Sequence, residues 1–175
     1  MNWTDKIGSI ISQYAGGGTA PASANVEQDY SQVAQSAPQD VVAGGLTEAF
    51  NSDQTPPFPQ MVGQLFGQSN GQQQAGLLNS LLASVGPGVL ASLAGGGLMS
   101  SLSGLMSGGQ RQITPEQASQ VSPAAVQELA AHAQKQDPSV VNQVSGFYAK
   151  HPDLVKGLGI TALTIAMGRM ARHQQ

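Results

Sequence analysis

Between Gln54 and Gln110 the chain has no Asp, Glu, Lys, Arg or His, a run of 57 residues without an ionisable side chain. Charged residues make up only 10% of the whole, against about 25% in ordinary globular proteins. Charges keep a surface wet, so a stretch without them must be covered by its own fold, by a partner or by lipid. Cysteine is absent, which excludes disulfides, thiolate nucleophiles and Cys-based metal sites. Aromatics are scarce at 5% and no basic cluster occurs. Nucleic-acid binding needs both stacking rings and a basic face, so nucleic acid is excluded as a partner.

Catalytic signatures are missing too. The sequence contains no Gly-x-Ser-x-Gly elbow and no phosphate loop ending in Gly-Lys-Ser/Thr. Gly86-Pro87-Gly88 lacks the third glycine and the preceding strand of a dinucleotide fingerprint. The histidines, His132, His151 and His173, are never four residues from one another, and no acid recurs at ligand spacing. Glu128 and His132 sit four apart and can pair on a helix face, an interaction of only a few tenths of a kcal/mol. The expectation is a non-enzymatic protein with no catalytic, metal or cofactor-binding residues, and no cofactor.

Helical periodicity is what the chain does contain. Trp3, Ile7, Ile10, Ile11 and Tyr14 form one stripe of an amphipathic helix, ended by Gly16, Gly17 and Gly18. The Gly/Ala/Pro/Ser stretch 16–25 reads as a flexible linker. A short helix follows with Val26, Tyr30 and Val33 on one side. Ser36 and Gln39 have the spacing of a capping box for the next, which carries Val41, Val42, Leu46, Ala49 and Phe50. Pro56, Pro57 and Pro59 force a break. Met61, Val62, Leu65 and Phe66 then mark one helix, and Leu77, Leu78, Leu81, Leu82 and Val85 another, capped near Asn70.

In the last third, four helices each open on a polar residue followed by Pro, at Thr114, Ser122, Asp137 and His151. The fourth is expected to run unbroken through Leu154, Leu163 and Met170. Short connections of this kind favour antiparallel neighbours. The fold expected is therefore all-α, with small helical bundles, Gly/Ser-rich linkers and a separate N-terminal amphipathic helix. Its parts are an amphipathic helix (1–15), a linker (16–25), a front helical section (26–85), a Gly/Ser/Leu-rich hinge or association segment (86–112) and a C-terminal bundle (113–172).

The stretch from Leu77 to Met106 is long enough to cross a bilayer, which takes about 20 mainly apolar residues. Gly86-Pro87-Gly88 and Gly95-Gly96-Gly97 divide it, serines dilute it, and no basic cluster flanks it. A spanning helix is not expected. The N-terminus lacks the basic start and continuous apolar core of a signal peptide, so a cytoplasmic location is expected.

The Leu/Gly/Ser-rich middle, followed by Ile113 to Gln120 and Val126 to Ala130, resembles YidB-like bacterial proteins over roughly residues 76 to 135. That resemblance implies a small helical protein and brings no catalytic residues with it. The chain departs from it in its long front section and its Pro-capped final helices.

The function expected is interaction or self-association, with a protein partner or a second copy of the chain. The candidate surface combines Trp3, Ile7, Ile10, Ile11 and Tyr14 of the first helix with Leu90, Leu93, Leu98, Leu102 and Leu105 of the association segment. The alternative expectation is a peripheral protein that lies on a membrane surface through the first helix, the Gly/Leu-rich segment, or both.

Overall fold

The computed structural model describes residues 3–15, 25–85 and 112–173, and among them every regular element is helical. The helices are α1 (Trp3–Tyr14), α2 (Val26–Ser36), α3 (Gln39–Asn51), α4 (Phe58–Gln68), α5 (Gly71–Ser84), α6 (Pro115–Ala118), α7 (Pro123–Gln136), α8 (Val140–Ala149), α9 (Pro152–Val155) and α10 (Ile160–Arg172). A 3-10 turn, Lys156–Leu158, lies between α9 and α10. The association segment, but for Gln112, falls outside the described residues.

Local chemistry sets most of the boundaries. Asn70 opens α5 with a reciprocal box: its side chain accepts from the Gln73 N–H at 3.0 Å, and Gln73 Oε1 accepts from the Asn70 N–H at 3.0 Å. Thr114 and Gln117 make the same box at α6. Ser122 caps α7 by accepting from the Ala125 N–H at 3.2 Å.

Three boundaries differ from the sequence expectation. Ser36 does not cap α3; it is the last residue of α2. The Ala37 N–H still donates to the Val33 carbonyl at 2.7 Å, and the chain then turns extended at Ala37, as a residue before proline prefers. Asp137 accepts from the Ser139 N–H at 2.9 Å, so a turn precedes α8 and the helix begins at Val140. The last helix is divided: Gly159 adopts φ 88, a left-handed conformation that glycine takes without a Cβ clash, and α10 starts afresh after it.

Two compact units form, and the first of them is not contiguous in the chain. One comprises residues 1–57 and 145–175; the other comprises 58–144. The division falls within α8, and each unit draws on both the front section and the last third of the chain.

In the first unit α3 packs along α10, burying Val42, Leu46 and Ala49 from one side and Leu163, Ala166, Met167 and Met170 from the other. The helices approach closely at Gly45, where a Cβ would lie 2.7 Å from the Ala166 carbonyl oxygen. α1 and α2 also pack against α10 and against each other. Phe50, Tyr148 and Phe147 meet in sequence, tilted and then edge-to-face, with centroids 6.4 and 5.3 Å apart, and His151 extends the row at 4.9 Å from Phe147. Arg172 and Glu48 approach to 3.8 Å, but both are half-exposed, so the pair contributes little.

In the second unit α4 packs on α7, and α5 packs on α6 and α7. Gly63 permits the α4–α7 crossing: a Cβ there would stand 2.9 Å from the Pro123 carbonyl and collide with the Gln127 side chain. Asn79 of α5 acts as a surrogate strand toward Ile113. Its Oδ1 accepts from the Ile113 N–H at 2.8 Å, and its Nδ2 donates to the Ile113 carbonyl at 3.2 Å. The chain is thereby fixed to α5 just before α6 begins.

Candidate interaction surface

The charge-free stretch is partly described, and there its apolar residues have a home. Phe58, Met61, Val62, Leu65 and Phe66 of α4 are buried, as are Leu77, Leu78, Leu81 and Val85 in and after α5. The outer side of α4 carries Gln60, Gln64 and Gln68, all exposed and spaced by four residues, so they form one stripe. Gln72 is exposed at the start of α5. Amides thus stand where a typical surface helix displays Lys and Glu.

The residues expected to form the contact surface divide into two groups. Ile7, Ile11 and Tyr14 are buried inside the first unit, and Ile10 is half-buried. Their helix packs against α2 and α10, so the free face expected from the sequence is occupied. Trp3 belongs to α1, but its side chain lies outside the described residues. Leu90, Leu93, Leu98, Leu102 and Leu105 also lie outside them. Among the described residues Ile160 is the one large apolar side chain that is exposed, at 58%.

Tyr14 also has a polar role that the apolar stripe concealed. Its hydroxyl donates to Asp29 Oδ2 at 2.7 Å, joining the end of α1 to α2. Burial raises the Tyr14 pKa above the usual phenol value, and the hydrogen bond and negative charge of Asp29 raise it further. No pattern in the sequence links positions 14 and 29, since the pairing depends on how α1 seats. The glutamine stripe, by contrast, was legible as a four-residue repeat of Gln within an apolar helix.

The histidines occupy ordinary places. His132 and His173 are exposed, and His151 is half-buried against Phe147. Among the described residues no group of three or more His, Asp or Glu could hold a metal ion. No helix among them is long and apolar enough to cross a membrane. No family model, curated protein or solved structure matches this chain.

Proposed function

We propose that this chain is a non-enzymatic interaction or self-association protein of the cytoplasm that assembles through surfaces bearing no charge. The observation that carries the reading is the outer stripe of α4, Gln60, Gln64 and Gln68, exposed within a 57-residue run that has no ionisable group. Taking an amide out of water and re-forming its hydrogen bonds across an interface costs far less than taking out a charge. Interface cores are depleted of charged residues for this reason. A neutral surface also lacks the like-charge repulsion that keeps copies apart. The Leu90 to Leu105 segment continues the same neutral composition and supplies the apolar groups that α4 and α5 keep inside. The YidB-like resemblance over residues 76 to 135 agrees with a small helical protein of bacteria.

Sedimentation equilibrium tests the reading. The expected outcome is a weight-average mass that rises with loading concentration above that of one chain. A strict monomer up to hundreds of micromolar, correctly folded by circular dichroism, would sink it.

A further inference from the structure

α1 is a short element held by few groups. It has 12 residues, no longer than the roughly 12–15 at which an isolated helix is even marginal in water. Its place between α2 and α10 is therefore what makes it a helix. Ile7, Ile11 and Tyr14 fill that groove. The Tyr14 hydroxyl is held by Asp29 at 2.7 Å, and the Tyr14 carbonyl lies over Gly168, where a Cβ would stand 3.3 Å away. The groove is thus matched to this helix in three respects: an apolar floor, an acceptor for the phenol and a missing side chain beneath the backbone.

The sequence joins α1 to α2 through a glycine-rich stretch. Gly16 to Asn25 supplies ten residues, three of them consecutive glycines, with a contour of about 33 Å. When a terminal element is joined by a linker of that composition, the same element of another copy makes identical contacts, and only the connection differs. We infer that the groove between α2 and α10 is a receptor for the α1 of a second copy of this chain, so that two copies exchange their first helices. The inference rests on the self-association reading but uses a surface separate from the glutamine stripe. A lipid surface is the poorer occupant for α1. It would leave the Tyr14–Asp29 pair unmade, and α1 carries a single basic residue, Lys6, for anionic headgroups. The chain's own α1 competes at an effective concentration on the order of millimolar, so exchange in the natural sequence is a high-concentration event.

Two full-length variants remove that competition. In an acceptor, Ile7→Asn with Ile11→Asn makes α1 unable to fill any groove. In a donor, Gly168→Leu closes the groove while leaving α1 intact; Gly168→Ala serves if the larger residue does not fold. Both variants also carry Gln60→Glu, Gln64→Glu and Gln68→Glu, which removes association through the α4 stripe. Light scattering after size-exclusion chromatography should then show each variant alone as a monomer and their mixture as a one-to-one heterodimer. Adding Tyr14→Phe to the donor should weaken the pair about tenfold, the effect of losing a hydrogen bond to a carboxylate. No heterodimer from two folded variants would overturn the exchange. So would flotation of the donor with phosphatidylcholine–phosphatidylserine vesicles in place of pairing with the acceptor. Oligomers of either variant alone on this charged-stripe background would also overturn it, since neither variant by itself holds both an open groove and a helix that fits it. Conversely, heterodimer formation in a protein whose association ignores charges placed on the α4 stripe would defeat only the stripe.

Discussion

Gly44 and Gly45 are neighbours on α3 with opposite consequences. A Cβ at Gly44 meets nothing within 4 Å, whereas one at Gly45 would press on the Ala166 carbonyl and the Met170 side chain. Gly44→Ala should therefore stabilise the protein by about 0.5–1 kcal/mol through helix propensity alone. Gly45→Ala should destabilise it by about 1–3 kcal/mol, since backbone cannot move aside as a flexible side chain can. Urea titrations of the two variants, read at constant slope, check both signs.

Tyr30 and Tyr148 make a second residue-scale case. Both are fully buried, and among the described residues neither hydroxyl has a hydrogen-bond partner. Burial without a partner raises each phenol's pKa above its usual 10.0. The sign follows from linkage: below pH 10 both states keep the proton, and above it the unfolded chain releases protons that the fold retains. Stability should then fall as pH rises above 10, by up to about 2.7 kcal/mol per pH unit for the two groups. Tyr30→Phe with Tyr148→Phe should remove those two groups' share of the slope, leaving the part due to Tyr14, and should leave neutral-pH stability equal or higher. Thermal melts between pH 8 and 11, with tyrosinate absorbance as the monitor, measure it.

The helices show which parts of the fold were legible. Asn70, Thr114 and Ser122 announced their helices because a cap is local chemistry among residues at most three apart. The Ser36 box failed because α2 continued through it, held by the Val33 carbonyl, and a spacing rule does not report where the previous helix stops. The last helix was expected to be unbroken, and Gly159 divides it because φ 88 is open to glycine, a choice made by the backbone's surroundings. The Asn79–Ile113 clasp spans 34 positions and left no local sign at all. Because both its bonds are part-buried, Asn79→Ala should lower stability by about 2–3 kcal/mol. Asn79→Asp keeps the acceptor and discards the donor, so its loss should be smaller. Chemical denaturation of both variants separates the two contributions.

At the scale of the molecule, pairing does not follow chain order. α3 finds α10, and α4 finds α7, so each unit is assembled from segments far apart in the sequence. The all-α class could be read from periodicity, since each stripe carries its own signature. The partners of those stripes could not, because a helix face does not encode which other face it meets. Removing residues 145–175 should therefore unfold the 1–57 segment along with the missing helices, and far-ultraviolet circular dichroism should report a loss of helix beyond that in the deleted segment.

The proposed self-association through uncharged surface likewise belongs to the scale of the whole chain. It is tested most directly by placing charge on the α4 stripe. Sedimentation velocity of the natural chain and of the Gln60→Glu, Gln64→Glu, Gln68→Glu variant should be compared across a hundredfold range of concentration. The account predicts a sedimentation coefficient that climbs with concentration in the natural chain and a shift of at least tenfold toward higher concentration in the variant, with the fold intact. Superimposable curves for the two proteins, or a concentration-independent monomer in both, would contradict it.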